Sequence, residues 1–314
     1  MNEARSVVDV GLLSQQTKTD TKSLGVAFVG LVMPHLQACR NPKARRCGII
    51  ERTNVQWSYM TNPKIDTVKV NDQRLYLWDG QRVPSVTTII GMTPKEFLQY
   101  WAANKVAEAA IQKGTVTQND YRWLKSAPNR DRDKAAQIGS NVHDTLDRLV
   151  NLDDGEEIDI PAEEVPFIDG FYQFRDRFNP EFIRTEETVL GEIDGHGYAG
   201  SFDALIKMND ENWLIDFKTT RSGVHAEVAL QLAAYAHAQK IIHPDGSEEP
   251  MLPVDKFGVL WLRPEQWKFV EINVSEELLD TFSGLLKTWH YENFWKKKAI
   301  GAILASGKYT DEPF

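Results

Sequence analysis

The stretch that decides the fold reads Gly200-Ser201-Phe202-Asp203, then Asp216-Phe217-Lys218-Thr219-Thr220, then Gln231-Leu232-Ala233-Ala234-Tyr235. Residues 197–207 and 213–219 are rich in aromatic and aliphatic side chains. They flank the polar run Asn209-Asp210-Glu211-Asn212, which predicts a hairpin turn. Pairing Met208 with Trp213 across that turn sets Leu205 opposite Asp216 and Asp203 opposite Lys218. Strand side chains alternate with period two, so Asp203, Asp216 and Lys218 then share one face, with Asp203 diagonal to Asp216. A slip of one residue scatters them. Two clustered carboxylates repel by roughly 4 kcal/mol at ~4 Å in an effective dielectric of ~20. Either one takes a proton or a cation sits between them, and hard oxygen ligands favour magnesium or manganese. Trp213, Leu214 and Ile215 are apolar, so Asp216 ends a strand that reads as buried, where an unpaired charge is costly. A plain ion pair between Asp203 and Lys218 is the simpler alternative, and it leaves Asp216 unexplained.

Downstream, the alanine- and leucine-rich segment from about Val224 to Ile241 has no Gly or Pro and predicts a helix. Gln231 and Tyr235 are four apart and lie on one of its faces. On spacing alone they read as polar tips of a core helix. Upstream, Ala135, Ile138, Val142, Leu146 and Leu149 form an apolar stripe at helical spacing over roughly 130–151. His143 lies at the edge of that stripe and, taken singly, reads as a satisfied core histidine. Gly139, four residues earlier, offers room for another backbone to approach closely.

Taken together these pieces resemble the PD-(D/E)XK nuclease superfamily, specifically its RecB-like branch and the related phage and CRISPR-associated exonucleases. The matching series is Gly139-x-x-x-His143, Glu186-x-x-Val189, Gly200-x-x-Asp203, Asp216-x-Lys218 and Gln231-x-x-x-Tyr235. Val83-Pro84-Ser85-Val86-Thr87-Thr88-Ile89-Ile90 resembles the strand that opens the domain in phage exonucleases and in the mitochondrial genome maintenance exonuclease. The resemblance covers about residues 72–273. It implies an α/β fold with a restriction-endonuclease-like core, a central mixed β-sheet flanked by helices. It also implies that His143, Asp203 and Asp216 ligate magnesium or manganese, with the Phe217 carbonyl as a further ligand. Lys218 would orient the attacking water or stabilise charge on the phosphate. Gln231 and Tyr235 would position that lysine or the DNA backbone. Glu186 would make a second-metal or outer contact, although Glu187 is adjacent and a small shift exchanges them. The implied partners are DNA ends, single-stranded or duplex, together with a recombination or replication protein. A restriction-type or flap-cutting endonuclease and a DNA-binding module without catalysis are the competing readings.

Composition sets the outer limits. At 314 residues and 42% hydrophobic, the chain can bury a sizeable core within one main domain. A formal net charge of −9 argues against a globally basic DNA-coating protein. It leaves room for a nuclease, since DNA can follow a local basic groove. Lys218, Arg221 and the run Lys296-Lys297-Lys298 are candidates for such contacts, the last also reading as a solvated helix face. Cys39 and Cys47 are the only cysteines, which fits a reducing compartment such as the bacterial or phage-infected cytoplasm. The four-cysteine iron–sulfur cluster of the CRISPR-associated relatives is therefore not expected. Residues 1–59 carry eight Lys/Arg against four Asp/Glu, leaving 28 against 41 beyond them. They read as a divergent extension, dispensable or a basic arm, ahead of a single domain at 60–314. The apolar run Gly25–Met33 is too short to span a bilayer.

The remaining pattern predicts helices from Thr93 to about 112, after Thr117, from Pro161 or Pro166 to Phe178, and from Ser275 to Lys298. Thr93-Pro94-Lys95-Glu96 reads as a capping box. Strands are predicted near 183–190, 196–208, 212–219, 256–263 and 267–273. Trp101, Trp123, Trp261, Trp267, Trp289 and Trp295 read mainly as packing residues, with one or two able to stack on unpaired bases.

Overall fold

A computed structural model of the chain describes residues 66–307 except 71, 72, 79, 154 and 244. The extension at 1–59 and both cysteines lie outside the described residues. A three-stranded antiparallel ribbon comes first: β1 (Thr67–Val70), β2 (Gln73–Trp78) and β3 (Gln81–Pro84). The central sheet has seven strands: β4 (Glu181–Ile193), β5 (His196–Met208), β6 (Glu211–Lys218), β7 (Lys240–Ile242), β8 (Glu248–Pro250), β9 (Lys256–Arg263) and β10 (Gln266–Glu271). Their order is β10-β9-β6-β5-β4-β7-β8, with β6 and β9 parallel and the other pairs antiparallel. It is the expected mixed sheet flanked by helices.

Two-residue turns build its centre. Asp194-Gly195 joins β4 to β5, and Asn209-Asp210 joins β5 to β6. All four residues have positive φ (52°, 76°, 50° and 64°), the geometry whose twist suits a tight hairpin. The second turn is thus two residues long, not four. Met208 pairs with Glu211 and Leu205 with Leu214, a shift of two from the expected register. Because the shift is even, the side chains of the paired residues 204–208 and 211–215 keep their faces.

Helices cover both faces of the sheet. On one side lie α4 (Ala127–Val150) and α5 (Val165–Phe178), where Val142, Leu146, Phe171 and Phe174 pack on Ile206, Ile215 and Leu260. On the other lie α1 (Val86–Ile90), α6 (Glu227–His237) and α7 (Glu276–His290), where Leu232, Phe282 and Leu286 pack on Phe202, Leu205 and Leu214. Each fully buried Leu or Phe contributes about 1.5–3 kcal/mol, so these layers set the lid and floor of the sheet. Beside them are α2 (Phe97–Lys113) and the short α3 (Tyr121–Lys125). Among the described residues no helix is long and apolar enough to cross a membrane.

Several sequence expectations are corrected. The helix expected to run to Ile241 stops at His237. Ala238 turns out of it with ψ 144°, and Lys240–Ile242 becomes β7 against Thr188–Leu190 of β4. There Ile241 is buried and its backbone is paired, which outweighs local helix propensity. The strand expected over Val83–Ile90 ends at Pro84. Ser85 Oγ accepts from the Thr88 amide at 3.0 Å and caps α1 instead. The capping box at Thr93 does not form, because the Thr93 amide donates to Ile90 O in the turn after α1. Helix α2 begins at Phe97 without a side-chain cap. The last helix ends at His290, and looser turns continue to Lys298.

Candidate metal centre

Strands β4, β5 and β6 converge on His143 of α4. The buried Val142 and Leu146 turn the apolar stripe of α4 inward, and His143, one position round, is left half-buried at the open end of the sheet. Its ring meets Phe217 edge-on at 6.0 Å. Its Nδ1 lies 3.6 Å from Asp203 Oδ1 and 3.9 Å from Glu186 Oε1. One ligand atom from each of His143, Glu186 and Asp203 falls within 4.8 Å of the others. Glu186, expected to make a second-metal or outer contact, is thus brought in with the imidazole. Glu187 lies instead 3.7 Å from His243 Nδ1, so Glu186 is the one of the two neighbours that faces His143.

The backbone at Glu186 explains how it gets there. Its φ is 47°, a left-handed value that L residues other than Asn and Asp rarely adopt. Thr185 and Glu186 are consecutive, yet both reach α4. Thr185 Oγ1 donates to Asp147 Oδ1 at 2.6 Å, and Glu186 faces His143. Regular alternation would send them to opposite sides. Across the ladder, Phe202 packs in the α6–α7 layer and Ala204 in the α4–α5 layer, although period two would give both one face. Asp203 stands at that slip, on the rung opposite Glu186 between the pairs Thr185–Ala204 and Glu187–Phe202. The Asp147–Thr185 bond, joined by Asn151 Nδ2 at 2.9 Å, braces β4 against α4. Sequence reading missed this brace. The available signal was spacing, since Asp147 follows His143 by four and shares its helix face.

Glycine is the residue that adopts such a φ without strain, so Glu186→Gly offers a test of stored cost. The substitution is expected to raise the stability of the metal-free protein by roughly 1 kcal/mol, since strain and charge repulsion both go. It should also weaken manganese uptake by at least about tenfold. Urea denaturation and isothermal titration read the two effects, with Glu186→Ala as the comparison that removes charge but keeps strain.

Asp216 is only 2% exposed and sits one step beyond the last rung of the β5–β6 ladder, Ala204–Ile215. Continuing that register sets it directly opposite Asp203 rather than diagonal to it. The Phe217 amide donates to Asp203 Oδ2 at 2.5 Å. Asp216 Oδ1 accepts from Lys218 Nζ and from Gln231 Nε2, each at 2.8 Å. Oδ2 lies 2.6 Å from the same ammonium but outside hydrogen-bonding geometry, so it is a buried oxygen with no hydrogen bond. Gln231 also donates to Tyr235 Oη at 3.4 Å. A Cβ at Gly200 would lie 2.5 Å from the Tyr235 ring, so the bare glycine lets that ring seat on β5. At Gly139 the close neighbour is a side chain, not a backbone. A Cβ there would meet Thr219 Oγ1 at 3.2 Å. Beyond Lys218 the chain is pinned by Arg263, which donates to Thr219 O, and by Trp261, which donates to Thr220 O.

The charges of this cluster are strongly coupled. Burial pushes the Asp216 carboxyl up to about 6 against the pull of Lys218, with Asp203 adding to the rise. Desolvation by the surrounding protein also raises Glu186, whose side chain is still 38% exposed, to about 7, partly countered by His143. For Asp203 burial acts upward, but His143, Lys218 and the Phe217 amide outweigh it and hold the carboxyl low. Burial would lower His143, yet Asp203 and Glu186 raise it well above the ordinary imidazole value. Lys218 is raised in the same way, its burial outweighed by Asp216 and Asp203. Near neutral pH the site therefore holds protons where a cation would otherwise serve.

No protein-family profile matches the chain, and no curated protein matches it in sequence. Among solved structures it is similar to the crystal structure of SSO0001, at 14% identity and a TM-score of 0.31 over 62% of this chain and 87% of that one. It is also similar to an alkaline exonuclease from Laribacter hongkongensis, at 10% identity and a TM-score of 0.35 over 69% of this chain and 93% of that one.

Proposed function

We propose that this chain is a divalent-metal-dependent deoxyribonuclease of the PD-(D/E)XK type, acting as an exonuclease at DNA ends. The observation that carries the reading is the trio His143, Glu186 and Asp203 set beside the gripped pair Asp216–Lys218. The donor set suits a hard cation, being carboxylate oxygens with one imidazole, and Asp216 Oδ2 is a buried oxygen answered by the Lys218 ammonium at 2.6 Å. His143, Glu186, Asp203 and Asp216 would hold magnesium or manganese, with the Phe217 carbonyl as a further oxygen. When bound, such an ion supplies Lewis acidity toward a phosphoryl oxygen and acidifies adjacent water. Lys218 supplies positive charge where the phosphate becomes more negative, and Gln231 keeps the Asp216 carboxylate turned toward it. Tyr235 fixes Gln231 from behind. The motif series in its RecB-like order supports DNA as the substrate and ends as the point of attack.

Incubating the full chain with linear and circular DNA, single- and double-stranded, in manganese tests the proposal. The expected result is shortening of linear DNA with circles left intact. Nicked or linearised circles would favour an endonuclease. No cleavage of any form, with DNA still bound, would reduce the chain to a binding module.

A further inference from the structure

Lys218 and Gln231 also line a cavity of about 370 Å³ whose lining does not include His143. Phe97 and Leu98, the first two residues of α2, line it as well and are 55% and 44% exposed. Helix α2 buries only Ala109 among its 17 residues, so the core does not account for these apolar side chains at its start. An exposed phenyl ring and an exposed leucine side by side at a cavity mouth fit a binding surface. Its charged lining is Lys95 and Lys218 against Glu227, which lies 3.9 Å from Lys95 Nζ in a loose pair. An aromatic face beside ammonium groups matches a base attached to a phosphate. The volume sits at the small end of the roughly 300–1,000 Å³ usual for ligand pockets, room for one nucleotide and not for a base pair.

We propose that this cavity receives one unpaired nucleotide at the end of the strand being cut. Its base lies against Phe97 and Leu98, and its phosphates run past Lys95 to Lys218. The assignment rests on the phosphodiesterase reading and gives it a substrate class: strands with an unpaired terminal nucleotide. Phe97 touches the base and sets the binding of the end.

The experiment uses the full chain and oligodeoxynucleotides carrying 2-aminopurine at the 5′ end, the 3′ end or the centre. Binding is followed by fluorescence in calcium, and cleavage of the same strands in manganese. One terminal probe is expected to be quenched and the central probe unchanged. Phe97→Ala should weaken that binding about tenfold, and Phe97→Tyr should restore it, as base stacking on an aromatic requires. Since Phe97 is more than half exposed, the truncation is expected to leave the melting temperature unchanged. Cleavage without terminal quenching, or quenching untouched by Phe97→Ala, overturns the cavity assignment and leaves the nuclease standing. Terminal quenching lost in Phe97→Ala, in a chain that cleaves nothing, supports the nucleotide site and overturns the phosphodiesterase reading alone.

Discussion

The double variant Asp216→Asn/Lys218→Met is expected to fold as stably as the parent and to cleave DNA at least about 10³-fold more slowly. Lys218→Met alone should lose the activity and part of the stability as well. The difference comes from Asp216, which is 2% exposed and leans on the Lys218 ammonium through both oxygens. Removing one partner of a buried pair costs about 3–5 kcal/mol, because the remaining charge stays in a poor solvent. Here the loss falls toward the low end, since a carboxyl already raised to about 6 can take a proton instead. Replacing both partners with uncharged groups of similar volume removes the penalty. Asp216→Asn keeps a side-chain carbonyl at this position, so Gln231 can still donate there. Removal of a single preorganised charge-stabilising group lowers turnover by about 10²–10³ in well-studied sites, and this variant loses a ligand as well. Urea denaturation of the parent, the two single variants and the double variant gives the coupling, and linear DNA in manganese at pH 8 gives the rates. A stable double variant within tenfold of the parent would remove Asp216 and Lys218 from the chemistry.

Much of this arrangement can be read from residue order, and the parts that cannot share a cause. The hairpin carrying Asp203 and Asp216 was legible from two apolar runs around a polar turn. The observed register differs from the expected one by two residues, and an even shift leaves Asp216 and Lys218 on the face expected for them. Helix spacing likewise brought Gln231 and Tyr235 to one side of α6, where both belong to the Asp216 network. What residue order does not carry is the break in alternation at Glu186 and Asp203. A left-handed φ at a glutamate has no side-chain signature, and tertiary packing must enforce it. The same holds for β7, whose three residues form a strand only because the edge of β4 is there to pair with. Phe97 and Leu98 are a different case. Their apolar character fits a helix start, and only the fold reveals how exposed they stand.

Manganese is expected to raise the melting temperature by about 5–10 °C at pH 8, and by clearly less at pH 6. Glu186 and Asp216 are raised carboxyls, so the folded protein binds more protons than the unfolded chain between about pH 4 and their folded values near 7 and 6. Stability must therefore fall as pH rises through that window. His143 acts with the same sign: its stabilisation is complete below the unfolded imidazole value and is lost as pH climbs through the raised folded one. Asp203, held low, contributes above the ordinary carboxylate value and loses its contribution only in stronger acid. The metal-free protein should consequently soften between about pH 5 and 8 as the site sheds protons and its carboxylates repel. A cation needs those ligands deprotonated, so its affinity rises over the same interval. At 100 times its dissociation constant it contributes about 2.7 kcal/mol, and a domain of this size gains about 2–4 °C for each kcal/mol. Thermal melts at pH 6 and 8, with manganese and with EDTA, separate the two effects. A shift equal at both pH values would mean that these side chains do not exchange protons for the ion, and the proposed ligand set would fall.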